Sequence, residues 1–184
     1  MKTNIKLSEH IGSYISLNKN LYYEMVETFG QSPQNFQYFI ESGTFCGCTL
    51  WEMKDIFQTC ISIELSDLYF GYNLHKFENV NNVSIYKGDS GEILSQVLDE
   101  HKISENAVFF LDGHYSGGMT AKCEENTPLR KELKQIASKN VRNSIIIIDD
   151  YHLYPICHSN EIPTILNGKI KSKIQRNEKL YFLL

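Results

Sequence analysis

The sequence predicts an α/β fold: one mostly parallel, seven-stranded sheet with helices on both faces and an antiparallel hairpin at its C-terminal end. Short apolar runs alternate with segments of helical character, which is the rhythm of strand–helix–strand units. Two of these runs, AVFFL at 107–111 and IIII at 145–148, are apolar at every position. Strands of that kind are covered on both faces and belong in the middle of a sheet. The chain closes with KIQR and KLYFLL on either side of Asn177 and Glu178, a hairpin signal.

The elements follow in order. The segment before Tyr38, including LYYEMVETFG, is a helical elaboration that packs either on the sheet or over its ligand edge. YFIE (38–41), CISIE (60–64), VSIYK (83–87), AVFFL and IIII are the five parallel strands. Ser66 before DLYFGYNLHKF, Ser90 before GEILSQVLDEH, and Thr127 with Pro128 before LRKELKQIASKN are helix starts, the last with proline at the first helical position. IPTILNGKI supplies one more helix. With 184 residues, 42% of them hydrophobic, one domain is expected: residues 1–37 as the elaboration and 38–184 as the core.

Composition narrows the function. Eighteen basic residues against 22 acidic ones give a net charge of −4, and no basic block would track a phosphate backbone. Nucleic acid is not an expected partner. The five cysteines are odd in number, and Cys46 with Cys48 makes CxC rather than the CxxC of zinc and redox sites. MKTNIKLSEH lacks the apolar core of a signal peptide, and no run approaches the roughly 18 apolar residues of a membrane span. A reduced, cytoplasmic chain without a membrane span is expected, with self-association left open.

In an open α/β sheet, ligands bind beyond the carboxyl ends of the strands, where strand order reverses. Each predicted strand ends in or beside an acid. ESGTFCGCT carries Glu41 and a turn from Gly43 through Thr44 and Phe45 to Gly47; Glu64 with Leu65 follows the second strand, and Asp89 with Ser90 the third. Glycines there let the backbone approach a ligand, and an acid closing the second strand is placed to accept hydrogen bonds from both ribose hydroxyls. The glycine spacing is GxxxG rather than GxGxxG, and Glu41 would repel a diphosphate while suiting a cationic amino-acid head group. S-adenosylmethionine fits that distribution of charge. As plain structure, Gly43 and Gly47 would be turn glycines and Asp89 a helix cap.

Asp112 in FFLDGHYSGG, and Asp149 with Asp150 in IIIIDDYH, form a second constellation. The fourth and fifth strands are expected to be neighbours, so these carboxylates converge and repel unless a cation or protons compensate. A hard divalent cation such as Mg2+ is the natural compensation; otherwise Asp149 caps the next segment and Asp150 is solvated. His114, two residues beyond Asp112, has the unperturbed pKa of a general base at neutral pH, with Asp112 its catalytic neighbour. An iron site built from Asp112 or Asp150 with His114 and His152 is a competing enzyme class, and a nucleoside-binding module without turnover is a third reading.

ESGTFCGCT, the glutamate of CISIE, FFLDGHY and IIIIDDYH, in that order, resemble the class I S-adenosylmethionine methyltransferases, and within them the macrocin O-methyltransferase-like group that methylates sugar hydroxyls. The resemblance spans Tyr38 to Tyr151. It implies a Rossmann-like core, cofactor binding at Glu41, Gly43, Glu64 near the ribose and Asp89 near the adenine. It also implies magnesium at Asp112, Asp149 and Asp150, chelating an acceptor diol. His114 stands where the family typically carries an aspartate base. DGHYSGG resembles a variant from bacterial surface-polysaccharide pathways, which points to a sugar or other small-molecule acceptor.

Overall fold

The computed structural model describes residues 15–113 and 127–184. The five apolar runs form five parallel strands: β1 (Tyr38–Ser42), β2 (Thr59–Glu64), β3 (Val83–Lys87), β4 (Ala107–Leu111) and β5 (Ile145–Ile148). β6 (Ser172–Arg176) and β7 (Lys179–Leu183) form the closing hairpin, with β7 antiparallel to both β6 and β5. The sheet order is β3-β2-β1-β4-β5-β7-β6. The sheet is thus Rossmann-like, mostly parallel and seven-stranded, and AVFFL and IIII lie at its centre as their uninterrupted apolarity requires.

Between the strands run α2 (Cys48–Met53), α3 (Asp67–Lys76), α4 (Ser90–Glu100) and α5 (Leu129–Ser138), with α1 (Lys19–Thr28) before β1 and α6 (Glu161–Ile165) before β6. The Asn18 side chain accepts from Leu21 N and caps α1. For α4 the cap is Asp89, whose Oδ1 accepts from Gly91 N at 2.8 Å; Ser90, expected as the cap, is the first helical residue. Aspartate wins because it alone sits in the extended conformation that a cap requires. Ser66 occupies the cap position of α3 without a side-chain cap bond. Pro128 stands immediately before α5, and the Thr127 hydroxyl accepts from Leu129 N.

Side chains alternate across the strands, so the sheet has two buried faces. Ile40, Ile61, Phe109, Leu111, Ile146, Ile148 and Phe182 face α4, α5 and α6 through Leu94, Leu98, Leu133, Ile136 and Ile162. Phe39, Cys60, Phe110, Ile147 and Tyr181 face the other way, packed with Tyr22, Met25 and Val26 of α1 and Leu50 and Met53 of α2. Burying each such side chain stabilises the fold by about 1.5–3 kcal/mol. Of the two placements open for the N-terminal helix, α1 takes the sheet face.

The chain runs outward from β1 to β2 to β3, then returns to lay β4 against the other side of β1. Strand order therefore reverses between β1 and β4, which opens a crevice at their carboxyl ends.

Candidate active site

The residues that follow the strands continue the sheet ladder by one step. Gly43 N donates to Ile63 O, Gly88 N to Glu64 O, Asp112 N to Ser42 O and Asp149 N to Leu111 O. This brings the acids after β1, β2, β3, β4 and β5 into one row along the carboxyl edge. The turn after β1 sits at the reversal point. Gly43 has φ +82°, and a Cβ there would stand 2.7 Å from the Asp112 carbonyl oxygen. Only glycine lets β1 and β4 approach each other so closely.

Phe45, also in the left-handed region at φ 47°, folds the turn over Glu64. Glu64 Oε2 accepts from Phe45 N at 2.9 Å and Oε1 from Ser66 N at 2.6 Å, so both carboxylate oxygens are held by backbone. Burial raises the Glu64 pKa, and those two N–H groups oppose the shift. The Phe45 ring packs on Tyr69, centroids 4.6 Å apart. Leu65 follows at the rim, its carbonyl accepting from Lys87 Nζ.

Glu41 lies deeper, 2% exposed. Its Oε2 accepts from the Ser62 hydroxyl at 2.8 Å, and Ser62 in turn lies 2.6 Å from Thr44 Oγ1. Burial drives the Glu41 pKa well above the usual carboxylate range; Ser62 opposes it, and Asp112 and Glu64 add to it. Two residues outside the expected set hold the turn from behind. Asn73 Nδ2 donates to Phe45 O, and Lys76 Nζ donates to Cys46 O and Gly47 O. No local sequence signal marks them, because they reach the turn from α3.

Ser90 Oγ donates to Glu132 Oε1 at 2.6 Å, tying the α4 start to α5. Glu132 is fully buried, and burial pushes its pKa to about 7 against the pull of Ser90, with Asp89 and Asp112 adding to the rise. Tyr154 is buried in the same place, its pKa raised by burial and then by Asp112, Glu132 and Asp150.

The acids after β4 and β5 have a basic neighbour that the sequence reading did not name. Asp149, 4% exposed, has its Oδ1 2.5 Å from Lys179 Nζ and accepts from Asp150 N at 3.0 Å. The compensating cation at this carboxylate is a lysine from β7. Among the described residues, no three His, Cys, Asp or Glu gather to hold a metal. Asp112, Asp149 and Asp150 share this edge. Asp150 is half-buried in the left-handed region at φ 45°. His152 is exposed, and the competing iron site finds no group among the described residues. His114 lies outside the described residues; Cys46, Cys60 and Cys157 are free thiols. No helix among the described residues is long and apolar enough to cross a membrane.

No protein-family model and no curated protein matches the chain. Solved structures do. Fibrillarin of Aeropyrum pernix, determined with bound S-adenosyl-L-methionine, superposes with a TM-score of 0.57 at 16% identity, covering 89% of this chain and 74% of its own. A candidate caffeoyl-CoA O-methyltransferase of Staphylococcus aureus gives 0.55 at 14% identity, with 89% and 80% covered. The N-methyltransferase NodS of Bradyrhizobium japonicum, in complex with S-adenosyl-L-homocysteine, gives 0.55 at 10% identity, with 95% and 91% covered. The chain has the class I methyltransferase fold.

Proposed function

We propose that the chain transfers the methyl group of S-adenosylmethionine to a hydroxyl of a small acceptor, a sugar or another vicinal diol. The observation that carries this reading is the glycine turn at the β1/β4 reversal with Glu41, Glu64, Asp89 and Asp112 along one edge. Relatives in fold are described as binding S-adenosylmethionine or its demethylated product. Bound there, the cofactor would supply an electrophilic methyl: its carbon–sulfur bond breaks as the acceptor oxygen–carbon bond forms, leaving S-adenosylhomocysteine and a proton.

The chain's own residues bind, orient and accept that proton. Each carboxylate oxygen accepts more than one hydrogen bond, so Glu64 can keep its grip on Phe45 N and Ser66 N while receiving ribose hydroxyls. Gly43, Gly47, Thr44, Phe45 and Leu65 form the cradle wall. Asp89 and Ser90, at the start of α4, lie on the adenine side, and a cationic head group bound above Glu41 would draw its raised pKa down, so that the carboxylate opposes that charge through the turn. Asp112 closes the acceptor side. His114, two residues on in sequence, takes the acceptor proton. The magnesium that the resemblance implies would have Asp112 and Asp150 as its remaining ligands, since Lys179 engages Asp149, and the proton transfer proposed here runs to His114 without it. The setting in this reading is cytoplasmic synthesis of surface polysaccharide or glycoside, with no nucleic-acid partner.

The test is transfer of labelled methyl from S-adenosylmethionine to a panel of sugars carrying vicinal hydroxyls. Label on a sugar oxygen is the expected result, and His114→Ala should lower the rate by about 100-fold to 10,000-fold while cofactor affinity stays. Label found on nitrogen acceptors alone would contradict the hydroxyl reading.

A further inference from the structure

The closing strand places a cation where a metal was expected. β7 runs antiparallel to β5, with Ile148 opposite Leu180. Its first residue, Lys179, therefore arrives at the carboxyl edge, one step beyond that pair and beside Asp149. A parallel strand in the same place would bring its last residue there instead. The placement is firm: Asn177 and Glu178 make a two-residue turn with both residues at positive φ, and Tyr151 N donates to Glu178 O, clamping that turn to the segment after β5.

Both partners are sealed, Lys179 at 7% exposure and Asp149 at 4%, with Nζ on Oδ1. Burying an ammonium is costly unless a carboxylate is paired with it in good geometry. A lysine needed only for solubility would be exposed, as Lys173 on neighbouring β6 is. A hard divalent cation needs carboxylate oxygens in its own coordination shell. Here one oxygen of Asp149 already carries an ammonium and the Asp150 N–H, and a second cation beside Lys179 would meet like charge.

We propose that Lys179 is the resident cation of the acceptor edge: its ammonium pairs with Asp149 and orients it in the place of a divalent metal, so Asp149 is not a metal ligand. Lys179 is a positioning residue, acting through Asp149. The inference rests on the methyl-transfer reading for its purpose, but the contact that carries it is independent of that reading.

The experiment is a titration of the full chain with Mn2+, followed by the electron paramagnetic resonance signal of free metal, for wild type, Asp149→Asn and Lys179→Met. Calorimetry with S-adenosylmethionine is run on the same samples. Wild type is expected to show no Asp149-dependent site tighter than about 1 mM. Lys179→Met should create one, tightening Mn2+ binding by about tenfold or more. Metal binding to wild type that survives Asp149→Asn also supports the proposal, because Asp149 then lies outside that site. Sub-millimolar binding to wild type that Asp149→Asn abolishes overturns it. The wild-type and Asp149→Asn titrations decide even if Lys179→Met does not fold. Absence of cofactor binding sinks the methyl-transfer reading whatever the metal titration shows.

Discussion

Glu132 is sealed beneath the segment after β4 with its carboxyl on the Ser90 hydroxyl, and burial lifts its pKa from the ordinary 4.5 to about 7. The folded state therefore holds a proton that the unfolded chain releases. Its stabilising contribution is fully present below about 4.5 and is lost as pH rises through about 7. With each unit worth about 1.4 kcal/mol, Glu132→Gln should remove a fall of roughly 3 kcal/mol across that window. Urea unfolding at pH 5 and pH 8 checks it: the variant should be less pH-dependent and more stable than wild type at pH 8. An unchanged slope would show that Glu132 keeps its charge. Lys179 poses a different case, a buried ion pair with Asp149. Removing one member of such a buried pair costs about 3–5 kcal/mol, so Lys179→Met should unfold at a correspondingly lower urea midpoint, and the double change with Asp149→Asn should recover part of the loss.

At the scale of elements, two turns hold the edge together. The β1–α2 turn depends on Gly43, where a Cβ would collide with the Asp112 backbone and the φ of +82° is unfavourable for any other residue. Gly43→Ala should cost about 1–3 kcal/mol of stability and weaken cofactor binding as well, because it pushes β1 from β4 at the crevice. The β6–β7 turn is less well matched to its sequence. Asn177 tolerates a left-handed backbone, but Glu178 at φ 59° does not do so readily. Glu178→Gly should raise stability by about 0.5–1 kcal/mol, since this is the turn type that favours Asn-Gly. A lower urea midpoint would mean the glutamate side chain contributes something its backbone does not reveal.

For the molecule as a whole, what could be read from the sequence was local and what could not was long-range. The β4 and β5 runs are apolar throughout, and that pattern has one structural meaning. The acids at strand ends follow once the strands are placed. Lys179 is different: it reads as an ordinary charge opening a hairpin strand, and only the pairing of β7 with β5, some thirty residues apart in sequence, puts it on Asp149. Glu132 sits in a helix rich in charge, where a glutamate is expected in solvent; its burial depends on α5 packing against α4. The cap exchange between Ser90 and Asp89 is a one-residue matter of backbone conformation that adjacent good capping residues cannot settle. Asn73 and Lys76 reach the β1 turn from a helix whose docking angle no local pattern specifies.

In the proposed methyl-transfer reading, the carboxyl edge at the β1/β4 reversal binds S-adenosylmethionine with Glu64 on the ribose. Calorimetric titration of wild type and Glu64→Ala with S-adenosylmethionine, and with a 2′,3′-dideoxy analogue, tests it most directly. Wild type should bind the cofactor at one site, Glu64→Ala should lose about 1.5–3 kcal/mol of that affinity, and the dideoxy analogue should bind both proteins alike. Affinity unchanged by Glu64→Ala, in a variant whose unfolding transition shows it to be folded, would contradict the assignment.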